Sequence, residues 1–451
     1  MNSLTFIKTA IMARLLTPEV FGLMSLALMA IRGTQLITDT GFGPALIQRK
    51  GDFDEAKHTA FTLLAVRGLL LAVLMVPIGY GMSVFYGMDA LFPLVAACGL
   101  SFAFGGFMHI GYTAAIRDLD FKQIAIIENS AAIISFIVAV AIGYIFRSVW
   151  ALVISFVVAA AAKTAVSYLV QKTPAKWEFN RQIALELLRY GRYITGSTIL
   201  LFVASEIDTA VVGKMLDMRS LGFYSVAFML ANFPPVHVAY VISNIMFAAY
   251  SRMQDDPERL ANTFLRVMGF VASLVLPVMA GMAVAAGSLI EVVYGREWSP
   301  AVLPFQILCA YGGLHAIVTV NGYMFNAIGR PDIGLRIAVV RLSAILLIIF
   351  PAIMLLGTEG AALAMSTIML IAMIYGLGHA TRNLQVTWLD MIRTLLPAVG
   401  KAVAVAAAMV VVQLTMHATA LPQLAVLIAV AALVYIPTNY SLVMGLLRAR
   451  R

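Results

Sequence analysis

The stretch Ala13–Ala27, ARLLTPEVFGLMSLA, returns two hundred positions later as Gly213–Ala227, GKMLDMRSLGFYSVA. The identical pairs at this offset are Leu16/Leu216, Gly22/Gly222, Ser25/Ser225 and Ala27/Ala227. The offset recurs without a gap where LAVLMVPIGYGM, Leu71–Met82, faces VASLVLPVMAGM, Val271–Met282. Matched prolines and glycines in this second stretch indicate repeated helix kinks rather than shared hydrophobicity alone. We therefore interpret the chain as two copies of one membrane unit.

The composition predicts an all-α membrane protein. The 451 residues are 62% hydrophobic and 12% charged, with a mean hydropathy of +0.93. Apolar runs long enough to cross the bilayer recur along nearly the whole chain, and they predict about 14 transmembrane helices. Two repeats of six spans account for most of them, and two further helices follow. An even number of spans per repeat makes the two copies parallel.

The repeat predicts four segments. These are a six-helix lobe at 1–172, a cytoplasmic linker at 173–189 with an amphipathic helix, a second six-helix lobe at 190–382, and two further helices with a basic tail at 383–451. A simple linker at 173–189 is an equally good interpretation. The fourth span is placed at 89–113, and the eleventh and twelfth at 335–356 and 359–380. Because the first span is short, we expect the natural chain or its relatives to carry residues before Met1.

The positive charges of the loops predict the orientation of the chain. With the N-terminus in the cytoplasm, most loop lysines and arginines lie on the inner side, as expected for inner-membrane proteins. The outer loops then hold only Arg14, Arg147, Lys214, Arg219 and Arg296. Charge spread thinly over short loops argues against nucleic-acid binding. The N-terminus lacks the pattern of a cleavable signal.

Basic residues inside predicted spans are the most informative anomaly, because a charge in the hydrocarbon is costly unless it faces water or a partner. Arg32 lies near the middle of the second span, and Arg67, Lys163 and Lys8 lie within the third, sixth and first spans. Together they predict a cationic cavity that binds an anionic head group, since guanidinium groups fit phosphate oxygens in pairs. The alternative for Arg67 and Lys163 is that they reach the lipid head groups.

Acidic residues inside the spans are candidates for ion or proton coupling. They are Glu206 and Asp208, late in the seventh span, and Asp39, near the end of the second. Buried carboxylates can titrate near neutral pH. Glu206 and Asp208 are two positions apart and so point to different faces of a helix. The alternative is that they form structural ion pairs with Arg14 or Lys214 near the outer surface. Glu128 in the fifth span is interpreted as part of a satisfied polar patch.

No catalytic or metal-binding motif accompanies these charges. The six histidines show no metal-ligand spacing, and Cys98 and Cys309 lie in apolar runs. The chain contains neither a nucleotide-binding P-loop nor a serine elbow. The sequence therefore predicts a protein that is not an enzyme and uses no cofactor or metal.

Several stretches carry a family resemblance. ARLLTPEVFGLMSLA, DTGFGPALIQRK and HTAFTLL in the first half resemble bacterial polysaccharide exporters of the Wzx type, as do EIDTAVVGKMLDMRSLGFYSVAF and FNAIGRPDIGLR in the second. These exporters belong to the multidrug/oligosaccharidyl-lipid/polysaccharide exporter superfamily. The resemblance covers nearly the whole chain. It implies two lobes that form a V, and it implies transport of an undecaprenyl-pyrophosphate-linked oligosaccharide from the inner to the outer leaflet.

The function expected from these observations is a flippase for exopolysaccharide or lipopolysaccharide synthesis in the bacterial inner membrane, which works by alternating access. Its partners would be membrane lipids, the lipid-linked oligosaccharide, and a polysaccharide polymerase and chain-length regulator. The alternative is a cation-coupled multidrug exporter of the same superfamily, which would carry acids rather than bases in its lumen. An integral-membrane glycosyltransferase would need a larger extramembrane loop than this chain has.

Overall fold

The computed structural model describes residues 3–38, 53–171, 176–416 and 419–438, and within these ranges every regular element is a helix. The chain divides into two compact units, Met1–Gly222 and Phe223–Arg451. The all-α architecture predicted from composition is confirmed. The predicted bounds of the repeats, at 172 and 190, stay a prediction. They were drawn from repeated sequence, whereas the two compact units are defined by packing.

The first unit is built from apolar helices that pack side by side. They are α1 Ser3–Leu15, α2 Pro18–Ile37, α3 Phe53–Tyr86, α4 Leu91–Gly106, α5 Gly111–Arg117, α6 Phe121–Phe146, α7 Trp150–Val170 and α8 Arg181–Met215. A core of Met24, Ala27, Met75, Val95 and Cys98 joins α2, α3 and α4. Small residues in this core let the helix backbones approach closely, which is how helices associate in lipid.

The second unit contains most of α9 and the helices that follow it. They are α9 Met218–Pro234, a π-helical turn Pro235–Ala239, α10 Tyr240–Arg252, α11 Pro257–Val284, α12 Ala286–Val293, a 3₁₀ helix Arg296–Ala301, α13 Val302–Ala327, α14 Pro331–Leu384, α15 Trp388–Thr415 and α16 Ala420–Thr438. The π-turn follows Pro234, which has no backbone N–H and so cannot donate the regular helical hydrogen bond. The span therefore continues from α9 into α10 without ending.

Nine helices of the described ranges are long and apolar enough to cross a membrane, or ten when a bent pair counts as one span. The chain is thus a multi-pass membrane protein, and the count of about 14 spans stays a prediction. The 54-residue helix α14 is broken at Gly357, whose φ of 58° and ψ of −130° are not helical. This break separates the eleventh and twelfth spans where the sequence placed their boundary, since glycine adopts this backbone conformation without strain.

The predicted fourth span, 89–113, is bent rather than straight. The helix ends at Gly106, and α5 leaves at an angle of 70°. Side chains satisfy the backbone inside the bend, because the His109 N–H donates to Ser167 Oγ (3.0 Å) and the Gly111 N–H donates to His109 Nδ1 (3.0 Å). The bend directs α5 onto α6 and so brings Tyr112 toward Glu128.

The amphipathic run of the linker forms the first turns of α8 instead of a separate helix. Asn180 caps it, because its side chain accepts hydrogen bonds from the N–H groups of Gln182 (2.9 Å) and Ile183 (3.4 Å). Ile183 is buried against Ala56, Ala60, Phe61 and Ile110. The Trp177 ring is 60% exposed and lies edge-on to the Phe61 ring. This exposure is compatible with a position at the level of the lipid head groups, where tryptophan is enriched.

The repeated glycines Gly22 and Gly222 lie at a reciprocal helix contact within the first unit. A Cβ added to Gly22 would lie 2.1 Å from the Met218 carbonyl oxygen, and one added to Gly222 would lie 2.0 Å from the Pro18 carbonyl oxygen. Pro18 and Met218 are themselves equivalent positions of the repeat. Glu19 and Arg219, the next pair, form an ion pair at 3.5 Å. The close approach explains why both copies have glycine at this position.

The turn before α9 supports a stability prediction. The Asp217 carboxylate accepts a hydrogen bond from the Ser220 N–H (2.7 Å), and its repeat equivalent Thr17 makes no such side-chain cap in the described structure. Asp217→Ala should therefore lower the free energy of unfolding by about 1 kcal/mol, whereas Thr17→Ala should change it by much less. Thermal unfolding of both variants in detergent measures the difference. Equal effects of the two substitutions would contradict the assignment of a cap.

The Asp217 cap also predicts a pH dependence. The Ser220 backbone hydrogen bond, followed by the Ser220 side chain, holds the pKa of the Asp217 carboxyl below its usual value. A carboxyl with a lowered pKa in the folded state adds stability above its unfolded pKa and loses it as the pH falls through the folded pKa. The difference in stability between wild type and Asp217→Ala should therefore be present at neutral pH and shrink in acid.

Candidate functional site

Arg32 and Glu206 form a bidentate ion pair between α2 and α8. Arg32 donates from Nε to Glu206 Oε1 and from Nη2 to Glu206 Oε2, both at 2.7 Å. The Arg32 side chain is 46% exposed and that of Glu206 is 16% exposed. Two parallel charge-assisted bonds of this kind also bind phosphate. Arg32 therefore presents a guanidinium that can hold an anion in two-point contact, and the Glu206 carboxylate of the same unit occupies it in this structure.

Arg67 lies on α3 beside the C-terminal end of α2. Its Nη2 donates to the Gln35 carbonyl oxygen (3.4 Å) and to Thr38 Oγ1 (3.3 Å). The last carbonyls of a helix carry partial negative charge, so a guanidinium there stabilises the helix end. This geometry gives Arg67 a positioning role for the helix that carries Arg32, and its predicted contact with substrate stays a prediction.

Lys8 and Lys163 lie on the wall of one cavity of about 270 Å³ between α1, α6 and α7. Lys163 Nζ is 2.5 Å from Glu128 Oε1, and Lys8 donates to Ser135 Oγ (3.0 Å). The Tyr112 hydroxyl also donates to Glu128 Oε1 (2.5 Å), and the Lys163 ammonium lies 4.8 Å from the centre of the Tyr112 ring. Two lysines and one carboxylate give this cavity a net positive charge.

The carboxylates predicted to couple transport to an ion differ in their surroundings. Glu206 pairs with Arg32, which was not among the alternative partners. Asp208 is only 1% exposed. The two side chains thus point to different faces of α8, as their spacing predicts. Asp39 lies outside the described residues.

The four predicted cations fall into two groups. Arg32 and Arg67 lie where α2 meets α8 and α3, whereas Lys8 and Lys163 share the cavity between α1, α6 and α7. Tyr112 and Ser135 were not predicted as part of any site. Glu128 and Ser135 are seven positions apart and share a helix face, so the sequence carried a signal for that pair. Tyr112 carried none, because its position depends on the bend before α5. Among the described residues, no group of three potential metal ligands occurs.

Known proteins resemble this chain in sequence and in fold. Residues 11–303, more than half of the chain, match the family described as "Polysaccharide biosynthesis protein". The chain belongs to this polysaccharide biosynthesis family. The lipopolysaccharide biosynthesis protein WzxC of Escherichia coli (strain K12) is 24% identical over 371 residues, which are 80% of this chain and 73% of WzxC. The resemblance stated from the sequence is confirmed.

Two solved structures show the same fold as this polysaccharide biosynthesis family member. The lipid II flippase MurJ, in its inward closed conformation, matches with a TM-score of 0.76 at 15% identity, over 98% of this chain and 97% of MurJ. An inward-facing multidrug resistance transporter of the MATE family matches with a TM-score of 0.65 at 16% identity, over 85% of this chain and 95% of the transporter. At this level of identity the two matches show the fold alone, and they confirm the predicted fold class.

Proposed function

We propose that this protein moves an undecaprenyl-pyrophosphate-linked oligosaccharide from the inner to the outer leaflet of the bacterial inner membrane, for exopolysaccharide or lipopolysaccharide synthesis. Basic side chains inside the membrane helices carry the proposal, above all the phosphate-compatible guanidinium of Arg32. Membership of the polysaccharide biosynthesis family supports the class of substrate. The N-terminus lies in the cytoplasm, and the polymerase and chain-length regulator of the same pathway are its partners.

Arg32 contacts the pyrophosphate in this proposal, and Lys8 and Lys163 supply further positive charge. Arg67 holds the end of α2 and faces the same anion. Glu206, Asp208 and Asp39 are the candidates for coupling to a proton or cation gradient. The protein changes no covalent bond, because transport by alternating access requires only differential binding of the substrate in two conformations.

Reconstitution tests this function directly. Purified protein in liposomes should expose a fluorescent undecaprenyl-pyrophosphate oligosaccharide of the inner leaflet to a quencher added outside, and protein-free liposomes should not. Quenching that stays at the protein-free level, together with drug resistance on overexpression, would instead support the multidrug exporter. Expression of the gene in a strain that lacks it should also restore surface polymer.

A further inference from the structure

An apolar cavity of about 370 Å³ lies directly beside the Arg32–Glu206 ion pair. Its walls include Met29 of α2, Ile78 and Met82 of α3, and Phe202, Glu206 and Ile207 of α8. The volume falls within the range of about 300–1,000 Å³ that is typical of small-molecule sites. Among its described lining residues, Glu206 alone is charged. The cavity is therefore apolar along its length and anionic at one point.

The polar end of this cavity is a carboxylate held by a guanidinium. Both Glu206 oxygens accept from Arg32, so the carboxylate uses the two-point contact that a phosphate would use. Arginine has five N–H donors, and two of them go to Glu206. Because the Arg32 side chain is 46% exposed, an incoming anion can approach the remaining donors before the ion pair opens.

The close packing of α2 against α8 beside Arg32 depends on a missing side chain. A Cβ added to Gly33 would lie 2.6 Å from Cζ of Phe202, so the Phe202 ring lies directly against the α2 backbone. The glycine lets α2 and α8 place an aromatic ring one helical turn from the charged pair, since Phe202 and Glu206 are four residues apart on α8. The cavity is thus shaped by close helix packing.

We propose that this cavity holds the phosphate-proximal end of the substrate's hydrocarbon chain, and that the substrate's phosphate displaces Glu206 from Arg32 as it enters. An amphiphile with a phosphorylated head and an apolar chain matches a guanidinium beside an apolar cavity. Glu206 occupies the phosphate position when the carrier is empty, so substrate entry and release of the carboxylate are the same event. This inference rests on the proposed function, and it assigns the cavity a ligand of its own.

Binding of short, water-soluble probes to the purified protein tests the proposal. Geranyl pyrophosphate carries both a head and an apolar chain, inorganic pyrophosphate carries the head alone, and geraniol the chain alone. Wild type should bind geranyl pyrophosphate about tenfold or more tightly than inorganic pyrophosphate, because the chain fills apolar space. Comparable affinities for geranyl pyrophosphate and inorganic pyrophosphate would show that the protein recognises the phosphate groups alone. That result would overturn the proposal.

Paired variants on α3 test whether the apolar chain of the probe binds in the cavity or at the detergent-exposed face of the helix. Ile78→Trp fills the cavity and should bring the affinity for geranyl pyrophosphate close to that for inorganic pyrophosphate. Val73→Trp, on the exposed apolar face of the same helix, should keep the wild-type ratio. Met82→Phe with Val84→Phe as its control repeats the comparison with a smaller change. A wild-type ratio in either cavity-filling variant would overturn the proposal.

Glu206→Gln tests the displacement step. Removal of the competing charge should raise the affinity for both pyrophosphates by about threefold or more, which corresponds to about 0.65 kcal/mol or more. Unchanged affinities would show that Glu206 does not occupy the phosphate position. The liposome assay decides the proposed function separately: transport by wild type with no effect of the cavity variants on binding would leave the function standing and remove this inference.

Discussion

A chain that carries both Arg32→Gln and Glu206→Gln is expected to fold, reach the membrane and export no surface polymer. The double variant removes both charges of the ion pair, so neither is left uncompensated in an apolar environment. It also removes the two-point contact with phosphate. Hydrogen bonds to charged groups are worth about 1.5–3 kcal/mol, which predicts a loss of substrate affinity of ten- to a hundredfold.

This double variant distinguishes two roles of Arg32. If the arginine only neutralises Glu206, Arg32→Gln alone should lose polymer and the double variant should regain it. If the arginine binds the substrate, both variants and Arg32→Ala should lose polymer at normal protein levels. Polymer in a gene-deleted strain and the amount of protein in the membrane are the two measurements. Export restored in the double variant would remove Arg32 from the binding site.

Gly22→Ala is expected to destabilise the protein strongly, although alanine favours helix formation. The added Cβ would lie 2.1 Å from the Met218 carbonyl oxygen, a backbone atom that cannot move without moving its helix. Overpacking of this kind costs about 1–3 kcal/mol, and it exceeds the gain in helix propensity of about 1 kcal/mol. The thermal midpoint in detergent and the amount of protein in the membrane should both fall. Gly222→Ala should behave in the same way.

Two comparisons sharpen this test. Gly81 is also repeated, as Gly281, but a Cβ at Gly81 would meet no described atom within 4 Å. Gly81→Ala should therefore leave the thermal midpoint unchanged or raise it slightly. The double variant Gly22→Ala/Gly222→Ala should cost less than the sum of the two single variants, because the first Cβ already separates the helices. Additive or negligible effects would contradict the close contact.

The internal repeat predicted some features of this fold and missed others. The match at Gly22/Gly222 was interpreted as a sign of duplication, and the structure adds the reciprocal contact that requires glycine at both positions. The boundary between the eleventh and twelfth spans was predicted close to Gly357, since glycine and charge interrupt the apolar run there. The bend after Gly106 was missed, because His109 and Ser167 stabilise it across a long separation in sequence.

The candidate site was likewise predicted only in part from the sequence. Composition and the cost of charge in hydrocarbon were sufficient to select Arg32, Lys8 and Lys163, because a basic residue in an apolar run is visible without a structure. The sequence also singled out Glu206, but Arg32 was not among the partners that it suggested. The pairing with Arg32 joins residues 174 positions apart, and no local pattern encodes such a distance.

The sequence by itself determined that this chain is a duplicated, helical membrane protein with basic residues inside its spans. Hydrophobic run length, repeated glycines and buried charge are local properties, so they can be read along the chain. Only the tertiary structure decided which charges meet and which apolar side chains enclose the cavity beside them. Those outcomes depend on how closely helices pack, and the packing is set by side chains that are far apart in the sequence.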